Sequence, residues 1–233
     1  MIKINNLHKS FGKNQILKGL DLQISKGGII AILGPNGSGK TTLIKAILGM
    51  VLPESGTILI DEHNIKKGSS YREQIDYLPQ LANFPNNLKL KELLRMIKDL
   101  RSRESSKDQE LINLFELTPY LNKKLGHLSG GTRQKVNLVL ALMYDSPLII
   151  LDEPTSGLDP VSLLHLKELL LQEKQAGKTI LLSSHITSFV EEMADELVFL
   201  LEGKIYFQGS IEQLKQQSKQ SNFERAIASI LEQ

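Results

Sequence analysis

The segment GPNGSGKTT, residues 34–42, constrains this chain more than any other stretch. The apolar run 29–33 precedes it, and the helix-like segment LIKAILGM follows. The spacing fits G-x-x-x-x-G-K-[ST], in which glycines let successive backbone N–H groups converge on one anion. A helix N-terminus adds its positive dipole end. An ordinary glycine-rich turn is the alternative, but the strand before and the helix after favour a nucleoside triphosphate site.

Each residue of this segment has an expected role. Lys40 is expected to reach the β- and γ-phosphates as a point charge, and the Thr41 hydroxyl to ligate Mg²⁺. The remaining residues are expected to enclose the nucleotide phosphates: Gly34, Pro35, Asn36, Gly37, Ser38, Gly39 and Thr42.

Composition narrows the function classes. A chain of 233 residues with 41% hydrophobic residues suits one large domain, or a core with a small inserted subdomain. The net charge of +2 gives no argument for a nucleic-acid partner, and none is expected. The absence of cysteine excludes disulfides, thiolate metal sites and cysteine nucleophiles. No apolar run approaches the roughly 18 residues of a spanning helix, and the N-terminus lacks a signal-peptide core, so we expect a cytoplasmic chain.

Hydrophobic periodicity predicts an α/β fold with a parallel sheet flanked by helices. Strands are expected within 2–33, at 56–61, 147–152 and 178–183, and in a hairpin at 197–208. Apolar residues at helical spacing predict an inserted helical subdomain, with a turn at the charged segment 102–109. We divide the single domain 1–233 into a nucleotide-binding core with a β subdomain (1–85 and 146–209), a helical subdomain (86–145) and a tail (210–233). The tail is expected to be a solvated surface helix without chemistry.

The segment PLIILDEP, residues 147–154, predicts a buried strand that ends on two carboxylates. Asp152 is expected to hold Mg²⁺, directly or through water. Glu153 leaves the strand on the other side and is expected to orient the attacking water as a base. An isolated Asp-Glu pair is usually a surface turn, but the buried strand favours the functional interpretation.

The segment LSGGTRQ, residues 128–134, predicts a second glycine-rich helix N-terminus. Ser129 supplies a hydroxyl and a plausible N-cap, while Gly130 and Gly131 expose backbone N–H groups. A simple helix cap is the alternative interpretation. Beside a phosphate-binding loop, a second anion-binding end is favoured.

Together these motifs resemble the ATP-binding domain of the ABC (ATP-binding cassette) transporters. LSGG precedes ILDEPTSGLD. The phosphate-binding loop (P-loop, residues 34–42) comes before them and SSH comes after, and the resemblance extends from Phe11 to about Gly209. It implies a P-loop NTPase, RecA-like core with a parallel sheet, an N-terminal antiparallel β subdomain and an inserted α-helical subdomain. It also implies an ATPase that uses ATP and Mg²⁺.

The resemblance assigns further roles. Phe11 would stack on adenine, with a core phenylalanine as the alternative. Gln80 would contact Mg²⁺ or the water and link the site to a membrane partner, segment 156–159 would cross a dimer interface, and His185 would contact the γ-phosphate. The remaining histidines match no motif and are expected to be surface or packing residues: His8, His63, His127 and His165.

The resemblance also implies two partners. In this family two cassettes associate head to tail, so that the Ser129 end of one copy closes over ATP on the P-loop of the other, and a homodimer is the simplest assembly. A membrane permease is expected to dock near Gln80–Leu94, against Leu81, Phe84 and Leu88; ordinary core packing is the alternative. The cassette would then lie peripherally on the inner face of the cell membrane. Thr132 stands where glutamine is common, and cross-subunit binding is expected to survive with altered tightness.

The sequence in and around the motifs is similar to that of cassettes working with ABC-2-type exporters. Within these, it is similar to the copper-processing ATPase of nitrous-oxide reductase maturation. The alternative to a transporter ATPase, from another functional class, is a nucleotide-switched regulatory module that controls a soluble partner without transport.

Overall fold

The computed structural model describes residues 1–101 and 107–231, which form two β-sheets and eight α-helices. The larger sheet contains β3 (Gly28–Leu33), β6 (Ile75–Leu78), β7 (Leu148–Asp152), β8 (Thr179–Ser184), β9 (Glu196–Leu201) and β10 (Lys204–Gly209). The smaller sheet contains β1 (Ile2–Phe11), β2 (Asn14–Ile24), β4 (Ser55–Ile60) and β5 (His63–Asn64). The helices are α1 (Lys40–Ile47), α2 (Leu90–Arg101), α3 (Asp108–Leu114), α4 (Gly130–Leu142), α5 (Pro160–Gln175), α6 (Thr187–Met193), α7 (Ile211–Ser218) and α8 (Phe223–Leu231).

The larger sheet has the order β10-β9-β3-β8-β7-β6, and every neighbouring pair is parallel except β10 with β9. Parallel strands end at the same edge of a sheet, where ligands of α/β proteins bind. The segments that follow β3, β6, β7 and β8 therefore meet at one edge. These segments carry the P-loop, Gln80, Glu153 and His185.

Alternate residues of β3 pack into two hydrophobic cores on opposite faces of the larger sheet. Ile29 and Ala31 belong to the core formed with α2 to α8. Ile30 and Ile32 belong to the core formed with α1 and the smaller sheet, which is antiparallel throughout. Cover on both faces explains why these strands are continuous apolar runs. The predicted α/β fold with an antiparallel β subdomain is confirmed.

The turn between β9 and β10 joins the P-loop to the smaller sheet. The Gly203 N–H donates to the Ser38 carbonyl at 3.0 Å, and the Lys18 N–H donates to the Gly203 carbonyl at 3.0 Å. Gly203 has a φ of +79°, and a Cβ there would lie 2.1 Å from the Ile16 carbonyl oxygen. Only glycine fits this contact. The turn therefore connects the P-loop at Ser38 to strand β2 of the smaller sheet at Lys18.

Three helices, α2 to α4, lie between β6 and β7 and fall inside the predicted helical subdomain 86–145. The end of α2 is tied to the sheet, because Arg101 donates to Asp76 at 2.9 Å and to the Ile75 carbonyl at 3.2 Å. Burial raises the pKa of Asp76 despite this partner. The predicted turn at 102–109 lies largely in residues 102–106, outside the described residues.

The prediction of a solvated C-terminal helix is wrong. The tail forms two helices, α7 and α8, and the side chains of Phe223, Ala226 and Ile227 are buried in the core that includes α6. Thr187 at the start of α6 donates to Glu224 at 3.1 Å. The many Gln and Ser residues of the tail obscured one continuous apolar face. Within the described ranges, no helix combines the length and the apolar character needed to cross a bilayer.

We expect Gly203→Ala to lower the melting temperature by about 5–10 °C, because it adds backbone strain of about 1–2 kcal/mol and a steric clash of about 1–3 kcal/mol. Gly12→Ala is the matched control, since Gly12 also has a positive φ (+59°), whereas a Cβ added there would meet no atom within 4 Å. It should lose only about 2–5 °C. Thermal unfolding of both variants measures the difference, and equal losses would show that the Ile16 carbonyl is not the constraint.

Candidate functional site

A cavity of about 320 Å³ lies at the carboxyl edge of the parallel strands. It is lined by Ile16, Asn36, Gly37, Gly39, Lys40, Thr41, Thr42, Gln80 and Glu153. All but Ile16 are residues that the sequence predicted for the site. A larger cavity of about 720 Å³ lies elsewhere, beside β4 and the start of β7, and none of the predicted site residues lines it.

The P-loop backbone is shaped by its glycines. Gly37 and Gly39 have φ values of +82° and +108°, which other residues rarely adopt. A Cβ at Gly34 would lie 2.1 Å from the Leu200 carbonyl oxygen, so the loop packs directly on β9. Gly39 precedes α1 and has no side chain to cap it. The N–H groups of the first turn of α1 are therefore available to an anion at the positive end of the helix.

Lys40 is buried and its ammonium group lies among oxygen atoms. It donates to the Gly34 carbonyl at 2.8 Å and to the Pro35 carbonyl at 3.2 Å, and it lies 3.5 Å from Glu153 Oε1. These contacts compensate the buried charge. They also hold the ammonium group beside the glycine turn, where phosphate oxygens would replace the carbonyl contacts.

Glu153 follows β7 and links Lys40 to His185. Its side chain is 4% exposed, its Oε2 lies 2.8 Å from His185 Nδ1, and its backbone has a φ of +53°. A left-handed glutamate is uncommon and typical of a functional position. Lys40, Glu153 and His185 thus form a continuous chain of charged and polar groups, of which Lys40 and Glu153 line the cavity.

Asp152 ends β7 and is fully buried. Its Oδ1 accepts from the Ser183 hydroxyl at 2.5 Å, whereas its Oδ2 has no hydrogen-bond partner in the part of the chain that the structure describes. An orphaned buried carboxylate oxygen fits a metal ligand, because a cation would supply the missing partner. Burial, and then the charge of Asp152, raise the pKa of Tyr77 to about 12.

The residues therefore fit a Mg²⁺ ion that is shared with a nucleotide. Among the described residues, no three His, Asp or Glu side chains gather into a metal site of their own. Mg²⁺ commonly takes one or two carboxylates together with substrate phosphates, so such a cluster is not required. Asp152, the Thr41 hydroxyl and Gln80 are the groups that would hold it.

Phe11 and Ile16 belong to the β1–β2 hairpin of the smaller sheet. Phe11 is 52% exposed at the end of β1, with the Lys9 ammonium group 5.0 Å from its ring centroid. It is not a core phenylalanine, and it does not line the cavity. Ile16 on β2 does line the cavity. No motif marks Ile16, and only its position after the turn of the β1–β2 hairpin could have indicated it.

The N-terminus of α4 lies outside this cavity. Ser129 caps the helix, since its Oγ accepts from the Thr132 N–H at 3.2 Å and lies 2.8 Å from the Thr132 hydroxyl. A Cβ at Gly131 would lie 2.8 Å from the Gly157 carbonyl oxygen, whereas Gly130 has open space. Ser129, Gly130 and Gly131 are thus presented to the exterior and not to the P-loop of the same chain.

The segment after Glu153 is bound to α4. Gln134 donates to the Pro154 carbonyl at 3.3 Å, and Lys135 pairs with Asp159 at 2.8 Å. Asp159 caps α5 by accepting from Ser162. The Lys135 ammonium group, followed by the Ser162 hydrogen bonds, holds the pKa of Asp159 well below its usual range. The predicted interface segment 156–159 is therefore held against α4.

The family model described as ABC transporter matches residues 17–156, which include the P-loop, the capped end of α4 and both carboxylates. The chain belongs to the ABC transporter family. It is an ATP-binding subunit of such a transporter and an ATPase.

Relatives in this family serve different transport systems. The chain is 34% identical to the lantibiotic transport ATP-binding protein SrtF of Streptococcus pyogenes, over 88% of this chain and 89% of SrtF. It is 32% identical to the L-cystine import ATP-binding protein TcyC of Bacillus subtilis, over 99% of each.

Solved structures of ABC cassettes share the whole fold. An ATP-binding subunit of an ABC transporter superposes with a TM-score of 0.91 at 28% identity, covering 99% of both chains. A dimeric, post-hydrolysis cassette bound to ADP and Pi superposes with a TM-score of 0.79 at 26% identity, covering 90% of this chain and 98% of the other.

We expect Ile16→Ala to weaken ATP binding by about 5- to 20-fold, because an apolar wall of the nucleotide cavity is removed (about 1–2 kcal/mol). Ile205→Ala is the matched control, since Ile205 is partly buried against the same hydrophobic core but does not line the cavity. Titration with a fluorescent ATP analogue measures both variants. Similar affinities would show that Ile16 makes no contact with the nucleotide.

Proposed function

We propose that this ABC ATPase powers a separate membrane permease through a head-to-tail homodimer that closes around two ATP molecules. One observation carries the proposal. The P-loop, Gln80 and Glu153 converge on one cavity, while the anion-binding end of α4 faces the exterior of the same chain. The γ-phosphate gains that second helix end only when a partner copy supplies it. ATP would therefore favour the closed dimer over the open one, and this differential affinity drives the conformational change.

Glu153 is proposed as the base that orients the attacking water. Its carboxylate lines the cavity, and Lys40 and His185 hold one oxygen each. His185 is half exposed and would contact the γ-phosphate. Lys40 would neutralise charge on the β- and γ-phosphates, as the lysine of P-loop enzymes does. When bound, Mg²⁺ would neutralise charge that develops on the phosphates, with Asp152, Thr41 and Gln80 as the residues that hold it.

We expect Glu153→Gln to reduce ATP turnover by about 10²- to 10⁴-fold, as the loss of a general base does. The amide keeps the shape of the side chain, so ATP should still bind and the dimer should persist. Steady-state phosphate release measures the first effect, and size-exclusion chromatography with light scattering measures the second. Normal turnover in this variant would refute the assignment of the base.

Gly130→Asp in the Glu153→Gln background tests the head-to-tail geometry. Open space at Gly130 accepts the side chain, and an acidic residue in the first turn suits the dipole of the isolated helix. Across a dimer interface the same carboxylate would repel the γ-phosphate. The double variant should bind ATP and melt like its parent but remain monomeric. A dimer formed as readily as in the parent would exclude α4 from the interface.

The surface after Gln80 is proposed as the permease docking site. Leu81 is 82% exposed, which is a high value for a large apolar side chain, whereas Phe84 and Leu88 are partly buried against the core. Core packing thus accounts for Phe84 and Leu88 but not for Leu81. An amphipathic helix of a membrane subunit would bury such an anchor. A permease bound at this site would hold the cassette on the inner face of the cell membrane.

Export is proposed as the direction of transport, only because the motif sequences are similar to those of cassettes of ABC-2-type exporters. SrtF and TcyC are similarly related to this chain, and TcyC serves import, so identity does not discriminate between directions. The copper-processing subtype is supported only by the same similarity of the motif sequences.

We expect Leu81→Asp to abolish co-purification of the cassette with its permease from detergent-solubilised membranes, without lowering the melting temperature. Leu52→Asp is the matched control, because Leu52 is 67% exposed but lies in a different segment. Mass spectrometry of the recovered complex identifies any membrane-spanning partner. Recovery of soluble partners alone would favour the regulatory module, and retention of the permease by Leu81→Asp would move the docking site elsewhere.

A further inference from the structure

Ser183 lies between the two carboxylate residues of the site and has no role in the functions assigned so far. It is on β8, directly opposite Asp152 in the parallel register, and it is fully buried. Its hydroxyl donates to Asp152 Oδ1 at 2.5 Å and accepts from the Glu153 N–H at 3.0 Å. One side chain therefore holds the carboxylate of one residue and the backbone of the next.

The hydrogen bonds assign the proton of the Ser183 hydroxyl. A serine hydroxyl carries one proton, and a carboxylate oxygen is only an acceptor when ionised. Because the Glu153 N–H occupies an acceptor position of the hydroxyl, the proton is directed to Asp152 Oδ1. The carboxylate is thereby fixed in rotation, with Oδ1 engaged and Oδ2 without a hydrogen-bond partner among the described residues.

The same contact supports the unusual backbone of Glu153. A non-glycine residue with a φ of +53° is strained and persists only where its surroundings hold it. The Glu153 N–H donates to the Ser183 hydroxyl and also lies 3.3 Å from the Ser183 carbonyl oxygen. Both contacts anchor the backbone from which the Glu153 side chain reaches Lys40 and His185.

A second buried serine–aspartate pair shows how the two carboxylate oxygens are bonded when the pair has only a structural role. The Ser146 hydroxyl donates to Asp76 Oδ1 at 2.9 Å, and both residues are fully buried. In that pair the Ser146 N–H also reaches Asp76 Oδ2 at 3.3 Å, so neither carboxylate oxygen is left free. The free oxygen thus distinguishes the Ser183–Asp152 pair, which adjoins the cavity residue Glu153, from the Ser146–Asp76 pair.

We propose that Ser183 is a positioning residue for Mg²⁺, which presents Asp152 Oδ2 to the metal and anchors the backbone of Glu153. This inference rests on the proposed role of Asp152 as a metal ligand. Partners that orient a metal ligand commonly contribute 10- to 100-fold to metal affinity, although they do not touch the metal. Ser183 would act in that way, through Asp152.

The test compares Ser183→Ala with Ser146→Ala, since each variant removes one buried hydroxyl from an aspartate. For each protein, a fluorescent non-hydrolysable ATP analogue is titrated with Mg²⁺ present and with Mg²⁺ chelated. The ratio of the two dissociation constants gives the affinity that Mg²⁺ contributes. We expect this contribution to fall about tenfold in Ser183→Ala, and to equal the wild-type value in Ser146→Ala. Binding without Mg²⁺ should be unchanged in both variants.

Other outcomes would overturn the inference. A full Mg²⁺ contribution in Ser183→Ala would show that the hydroxyl does not position the ligand, and an equal loss in Ser146→Ala would show a general effect of reduced stability. No Mg²⁺ contribution in the wild-type protein would remove Asp152 as a ligand, and the inference with it. None of these measurements requires a dimer or a permease. Failure of the transport proposal would therefore leave this result intact.

Discussion

Two adjacent carboxylates at the end of a buried strand are the constraint on which this structure depends. An ionised group in such a place is tolerated only when charges and hydrogen bonds compensate it. For Glu153 the compensation comes from Lys40 and His185, and for one oxygen of Asp152 it comes from Ser183. These partners arrive from the segments after β3 and β8 and from β8 itself. Contacts to the two carboxylate residues therefore join the motifs at the sheet edge.

The order of the strands makes this arrangement possible. β3 and β7 both pair with β8, so the P-loop and the two carboxylates flank the strand that leads to His185. The smaller sheet reaches the same place from one side through Ile16, and the β9–β10 turn supports the P-loop through Gly203. The cavity is thus built by four non-contiguous parts of the chain. A change at Ile16 or at Gly203 would therefore alter the nucleotide site without touching a motif.

The sequence predicted those residues whose function can be recognised from their immediate neighbours in the chain. The P-loop, the carboxylates at 152 and 153 and the Ser129 cap each follow from a few neighbouring residues, and the apolar runs gave the parallel sheet. Ile16 and Ser183 were missed because their importance comes from pairing between distant strands, which no local pattern records. The tail was misjudged for a related reason. Its many Gln and Ser residues suggested exposure, while burial of Phe223 depends on where α6 lies.

Three locally unfavourable features of the structure lie at positions with a proposed function. A glycine would suit the backbone at Glu153 better, a hydrogen-bond donor would suit Asp152 Oδ2, and a polar residue would suit the exposed position of Leu81. At the buried Ser146–Asp76 pair, by contrast, burial and hydrogen bonding agree. Proteins retain such local conflicts mainly where function compensates them. The proposed base, metal ligand and docking anchor are therefore three separate compromises: a strained backbone anchored by Ser183, a carboxylate oxygen that a divalent cation would satisfy, and an apolar side chain that a membrane subunit would cover.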